Sequence, residues 1–193
     1  MKKYFVLLLP VLLSVPSCKS KKKEPGKNFV SVLSLIKSQV AHVDTSLYSI
    51  LKIVTTDSLQ SDTTYIPREE FREASKDFLS IPDLSDKKVA KKYIEKTMYD
   101  NTMNRVIITY TPEDPDKEEI QKQELLVTPD AANGDRVDKI IINRVISNKD
   151  GFIDKKMLWQ LDRSFQVVTI MKKNGKPETT IILKVTWNDE QYQ

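Results

Sequence analysis

Residues 157–187 read MLWQLDRSFQVVTIMKKNGKPETTIILKVTW, and large apolar residues recur at every second position in two runs of this stretch. The first run has its apolar residues at Met157, Trp159, Leu161, Phe165, Val167 and Met171, and the second at Ile181, Leu183, Val185 and Trp187. A period of two indicates β-strands with one buried face. The runs predict strands over Met157–Met171 and Thr179–Asn188, and Asn174-Gly175 between them predicts a tight hairpin.

Three more strand candidates precede this stretch, and glycine-containing turn sequences follow the second and the third of them. The candidates are Val106–Thr111, Gln121–Thr128 and Val137–Ile146. The turns are Asn133-Gly134 and Asp150-Gly151, dipeptides that tolerate positive φ. Short strands that follow one another with tight turns predict an antiparallel meander in the C-terminal half of the chain.

The N-terminal half of the chain has mainly helical patterns. Phe29, Leu33, Ile36, Val40 and Val43 recur at intervals of three and four residues, which predicts an amphipathic helix. A strand is predicted over Leu47–Thr55. Two further helices are predicted, one starting near Pro67 and one capped by Ser85-Asp86. Their inward residues are Phe71, Ala74 and Phe78 in the former, and Val89, Tyr93 and Ile94 in the latter, which fades near Asn101.

These elements predict an α+β fold, in which N-terminal helices pack on a C-terminal antiparallel β-meander sheet. Residues 28–193 would form it as a single domain, large enough to bury a core. Helices followed by a meander resemble the nuclear transport factor 2-like (NTF2-like) cone. That resemblance, at the level of the fold alone, implies a pocket between a helix and a curved sheet.

The first residues of the chain have the pattern of an export signal. Met1-Lys2-Lys3 is positively charged, and YFVLLLPVLL follows as ten apolar residues, which cover roughly 15 Å as a helix, too short to span a bilayer. The sequence Val15-Pro16-Ser17-Cys18 resembles the lipobox of bacterial lipoproteins of the Bacteroidetes-like kind. That resemblance implies removal of residues 1–17 and acylation of Cys18, the one cysteine of the chain.

The positive charge of the chain is concentrated beside that cysteine. Residues 1–27 hold seven lysines and one acid, which leaves 24 basic and 26 acidic residues in 28–193, a net charge of −2. Residues 18–27 are therefore interpreted as a basic tether next to the membrane, and nucleic acid is not expected as a partner. Lysines instead of acids after Cys18 favour outer-membrane attachment that faces the periplasm.

No motif predicts catalysis or a cofactor. The sequence NKDGFID (residues 148–154) resembles part of a calcium loop, but Ile146 and Met157 occupy the positions of its first and last ligands, so a hairpin turn is favoured. The acidic stretch PEDPDKEE (residues 112–119) is interpreted as a solvated strand connection. His42, the one histidine, lies off the apolar stripe of its helix and is predicted to face solvent, so no metal site is expected.

Trp159, Phe165 and Trp187 share an apolar strand face and are the candidate ligand-binding residues. They would receive a small apolar ligand if helices cover the sheet incompletely, although a filled core is the commoner use of such a stripe. The leading functional prediction is a non-catalytic envelope lipoprotein that binds a protein partner. The alternative is a carrier or sensor for a small apolar ligand, and an enzyme ranks third.

Overall fold

The computed structural model describes residues 29–57, 60–149 and 151–188. Helix α1 spans Val32–Thr45 and buries the predicted stripe, including Ile36, Val40 and Val43. Ser31 caps it, because its side-chain oxygen accepts a hydrogen bond from the backbone N–H of Ser34 at 3.2 Å. The predicted first helix is confirmed.

Three short helices follow along the chain: α2 (Arg68–Ala74), α3 (Lys76–Leu79) and α4 (Lys87–Ala90). The helix predicted near Pro67 is therefore interrupted at Ser75, although Phe71 and Phe78 are buried as predicted. The helix predicted from Ser85-Asp86 ends after one turn. Asp86 does cap it, since its carboxylate accepts from the N–H of Lys88 at 2.8 Å.

Nine antiparallel strands form one sheet. They are β1 (Ile50–Thr56), β2 (Ser61–Ile66), β3 (Tyr93–Asp100), β4 (Arg105–Pro112), β5 (Ile120–Thr128), β6 (Arg136–Asn148), β7 (Gly151–Gln160), β8 (Ser164–Lys173) and β9 (Thr179–Thr186). The spatial order is β2-β1-β9-β8-β7-β6-β5-β4-β3. Strands β3 to β9 form a meander of neighbours, and the β1–β2 hairpin joins it beside β9, so β2 and β3 are the edges.

The predicted α+β fold, with helices packed on a cone-shaped sheet, is wrong. Strands take up about half of the chain, and the described helices other than α1 have seven, four and four residues. Residues 93–100, predicted as helix, form strand β3 and pair with β4 over their whole length. The capping signal at Asp86 is local, and it does not outweigh an eight-residue ladder with a neighbouring strand.

The predicted strand over Met157–Met171 is two strands, β7 and β8, joined by a turn at 161–163 in which Asp162 has a φ of 57°. Trp159 pairs directly with Phe165, and opposite residues in antiparallel strands point to the same face. The apolar residues therefore keep the same alternation on both sides of the turn. For this reason the alternation alone did not reveal that a turn divides the two strands. The other predicted strands of the meander, and the strand near Leu47–Thr55, are confirmed within a few residues.

The register divides the sheet into two faces. The helix face includes the row Leu125, Ile140, Trp159, Phe165 and Val185, all of which are buried. The adjacent row, Glu124, Ile141, Leu158, Gln166 and Lys184, lies on the opposite face, called here the open face, and each of its residues keeps some exposure. The core therefore lies between the helices and one face of the sheet.

The β6–β7 hairpin requires glycine at position 151. Gly151 has a φ of 148°, and a Cβ there would lie 2.1 Å from the backbone oxygen of Lys172 on β8. We expect Gly151→Ala to lower the free energy of unfolding by roughly 2–4 kcal/mol, because the β7–β8 backbones must separate. Denaturant unfolding measures this loss.

Gly175→Ala is the matched control. Gly175 also has positive φ, 71°, but a Cβ at this position would have no other atom within 4 Å, so only backbone strain of about 1 kcal/mol is expected. Equal losses in the two variants would contradict the argument from close approach.

Candidate functional site

The three predicted ligand-binding residues lie together in an aromatic cluster on the helix face. Trp159 and Phe165 stack with ring centroids 5.1 Å apart, and Trp187 lies 5.4 Å from Trp159. Phe71 of α2 packs 5.1 Å from Trp187, and Phe78 of α3 packs 5.0 Å from Trp159. The exposed fraction of these five side chains is at most 2%.

The cluster is closed where a ligand was expected. Phe71 and Phe78 pack against the two tryptophans. A depression bordered by Arg105 and Arg136 and another bordered by Met171 and Lys176 are not lined by any ring of the cluster. The indole N–H groups of Trp159 and Trp187 have no hydrogen-bond partner among the described residues, so packing and apolar burial account for the stability of the cluster. Ligand binding at these residues stays a prediction.

A second candidate site is a group of exposed apolar side chains on and after strand β3. The sequence patterns did not predict it. Ile94 is 52% exposed, Met98 46% and Tyr99 51%, and Met103 in the following turn is 48% exposed. The strand pairs with β4 on one side and with no described strand on the other. We call residues 93–100 with this unpaired side the β3 edge. Its eight residues were missed because they were assigned to a helix.

Apolar side chains continue from the β3 edge across the open face. Met98 lies opposite Ile107 of β4, and Ile107 lies opposite Leu126 of β5. Ile107 and Leu126 are half-buried. On the open face, the unpaired side of β3 is therefore bordered by an apolar surface that Lys96 interrupts between Ile94 and Met98.

The other edge has a different character. Strand β2 reads SDTTYI, and five of its six residues are exposed. Tyr65, 73% exposed, is its large apolar group on the surface, and the residues before it are short and polar. The two edges therefore form an internal comparison: the β3 edge has three large exposed apolar side chains among its charged residues, whereas β2, called here the polar edge, has one.

Tyr110 of β4, the strand beside β3, contacts the residues that precede α1. The hydroxyl of Tyr110 on β4 accepts a hydrogen bond from the backbone N–H of Val30 at 3.1 Å, and its ring lies 4.5 Å from that of Phe29. Burial raises the pKa of Tyr110 to about 12. Burial, together with the charges of Glu118 and Glu119, also raises the pKa of Tyr93 at the start of β3. Both phenols therefore stay neutral at physiological pH.

The other sequence candidates have structural roles. Strands β6 and β7 pair up to Asn148 and Gly151, so the predicted hairpin is confirmed; Asp150 lies outside the described residues. The acidic stretch forms a short 3-10 turn, Pro115–Lys117, between β4 and β5. His42 is exposed and lies edge-on to Tyr48. Within 29–57, 60–149 and 151–188, no three histidine, cysteine, aspartate or glutamate side chains are grouped to hold a metal ion.

The predicted signal peptide, Cys18 and the basic tether lie outside the described residues. None of the helices in the described part of the chain has the length and apolar character needed to cross a membrane. No protein-family model matches the chain, and comparisons with curated proteins and with solved structures found no match.

Proposed function

We propose that this protein is a non-catalytic lipoprotein of the cell envelope whose tethered domain binds a protein partner through the β3 edge. The observation that carries the proposal is an eight-residue edge strand with one unpaired side and exposed Ile94 and Met98 beside it. A strand edge offers alternating N–H and C=O groups, which an extended segment of another protein can pair with by strand addition.

The partner segment has a defined chemistry. On the open face, β3 presents Ile94, Lys96 and Met98 at alternate positions. An added strand with apolar residues at every second position would place them beside Ile94 and Met98 and would extend the apolar surface that reaches Ile107 on β4. Backbone hydrogen bonds supply affinity, and this side-chain match supplies specificity.

The anchor is the second part of the proposal. The lipobox-like residues 15–18 place an acylated cysteine ahead of the basic tether, and two or more acyl chains hold a protein on a membrane stably. Attachment to the outer membrane, facing the periplasm, follows from the lysines after Cys18. A tether of this kind keeps the β3 edge close to other envelope proteins and raises its effective concentration for them.

The alternative function, a carrier or sensor for a small apolar ligand, has less support. Phe71 and Phe78 pack directly on Trp159, Phe165 and Trp187, where the ligand would bind. A ligand would have to displace these rings at the cost of their buried packing.

Site-specific photocrosslinking in living cells tests the partner proposal. A photoreactive amino acid replaces Met98 in the full-length exported chain, and in a matched control it replaces Tyr65 on the polar edge. We expect a discrete adduct with a different protein from position 98 and none from position 65, because only the first position borders the apolar edge.

A second variant confirms that strand addition is the contact. Ile94→Lys in the chain that carries the photoreactive residue at 98 should reduce the adduct several-fold, since it places a charge beside the partner strand. Three results would contradict the proposal: no adduct from position 98, equal adducts from both edges, or an adduct of twice the mass of this chain, which would indicate a second copy.

A further inference from the structure

A second surface feature lies at the end of the sheet where β7 turns into β8. A depression of about 770 Å³ there is bordered by residues from β4, β5, β6, β7 and the turn at 161–163. Its volume lies within the range of small-molecule sites. Four cationic side chains and two carboxylates line it: Arg105, Arg136, Lys139, Arg163, Asp138 and Asp162.

Asp138 organises two of the arginines. Its Oδ2 atom forms an ion pair with Nε of Arg105 at 3.1 Å, and its Oδ1 atom accepts a hydrogen bond from Nε of Arg136, also at 3.1 Å. The hydroxyl of Thr128 donates to the same carboxylate. The side chain of Asp138 is 18% exposed, so one largely covered carboxylate holds both guanidinium groups.

Both arginines contact Asp138 through Nε, which leaves their terminal nitrogens for other acceptors. Nη1 of Arg105 donates at 3.3 Å to the backbone oxygen of Asn104, and no described residue accepts from the terminal nitrogens of Arg136. Lys139 is exposed and forms no ion pair with a described residue. These are strong donors that match the oxygens of a phosphate or a carboxylate.

The described residues that line the depression include four cations and two acids, whereas residues 28–193 together carry a net charge of −2. Outside the lining, side-chain and backbone hydrogen bonds lower the pKa of Asp130, and the positive charge of Arg136 also helps to lower it. The carboxylate of Asp162 already has a hydrogen-bond partner, because its Oδ1 atom accepts a hydrogen bond from Nε2 of Gln39 at 2.9 Å. The backbone N–H of Asp162 donates a hydrogen bond to Oε1 of the same glutamine. The excess of cationic over acidic side chains in this lining therefore favours binding of an anion at this end of the sheet.

We propose that this depression binds the phosphate or carboxylate of a sugar-sized ligand. The terminal nitrogens of Arg105 and Arg136 donate hydrogen bonds to the anionic group, and the ammonium of Lys139 is a third donor. The other polar residues of the lining bind the hydroxyl groups of the ligand. Ile94 and Met98 of the proposed partner contact do not line this depression, although Met103 and Leu126, at the end of the apolar surface beside the β3 edge, do.

Titration with defined probes tests the proposal on the purified full-length chain in detergent. The probes are glucose 1-phosphate, glucuronate, neutral glucose and dihexanoyl phosphatidylglycerol below its micelle concentration. The readout is the methyl NMR signal of Met103, which lines the depression, with Met171 at the far end of the sheet as the internal control.

We expect the Met103 signal to shift saturably with an anionic probe and not with glucose, while Met171 stays unchanged. A response to the sugar anions identifies a soluble ligand, and a response only to the phospholipid identifies a lipid headgroup; each supports the anion site. Arg136→Gln and Lys139→Gln should each weaken binding about tenfold. Lys172→Gln, outside the depression, should leave it unchanged.

Two results would overturn the inference. The first is the lack of any saturable shift at Met103 with all three anionic probes at concentrations on the order of 10 mM, where a weak surface site saturates. The second is binding that Arg136→Gln and Lys139→Gln do not change, which would place the anion elsewhere.

Discussion

Trp159→Ala is expected to lower the free energy of unfolding by about 3–5 kcal/mol. Trp159 is fully buried and contacts four other rings, from Phe71, Phe78, Phe165 and Trp187. Its removal leaves a cavity between the short helices and the sheet, and the remaining rings cannot collapse into it without losing their packing. Denaturant unfolding followed by circular dichroism measures the loss.

Leu158→Ala is the matched control for that variant. Leu158 is the next residue on the same strand, but it lies on the open face and is half-buried, so a loss of about 1–2 kcal/mol is expected. Trp159→Phe should lie between the two, since a ring remains in the cluster. If Trp159→Ala cost no more than Leu158→Ala, the aromatic cluster would not be the centre of the core.

Cys18→Ala is expected to abolish fatty-acid labelling of the protein and to move the domain out of the membrane fraction. Each buried methylene of an acyl chain contributes about 0.8 kcal/mol to membrane binding, so the loss of all chains is a large effect. Metabolic labelling with a fatty-acid analogue and cell fractionation measure the two outcomes.

Replacing the four lysines between residues 19 and 23 with glutamine is the control for the anchor. Their attraction to anionic lipid is on the order of 1 kcal/mol each, so this variant should remain in the membrane fraction. A mature wild-type protein with a free thiol at Cys18 and no added lipid mass would contradict the anchor, while leaving the β3 edge to be judged by crosslinking.

Much of the meander was predictable because its signals are local. The alternation of Met157, Trp159, Phe165 and Val167 assigns these residues to one face, whatever their neighbours. The glycine at 151 marks a turn that other residues cannot form without strain. A local signal of the same kind gave a wrong prediction at residues 85–100. Asp86 is an N-cap, but the helix that it caps has only one turn, and strand β3 starts at Tyr93.

The candidate sites were less predictable than the core. The β3 edge depends on which strand ends the sheet, and a strand sequence does not specify that. The anion site depends on Arg105 and Arg136 meeting at Asp138, which brings β4 and β6 together across β5. Arg105 and Arg136 are the first residues of β4 and β6, and their separation along the chain hid their proximity.

The sequence by itself determined where most strands of the C-terminal half run, which of their side chains face the core, and that positive charge is concentrated before residue 28. The tertiary structure alone decided that the β1–β2 hairpin pairs with β9, that β3 is left at the edge, and that two arginines share one carboxylate. The reason is physical: side-chain periodicity states which face of a strand is buried, whereas backbone hydrogen bonds are alike in every strand, so the choice of neighbour is made only when the whole core packs.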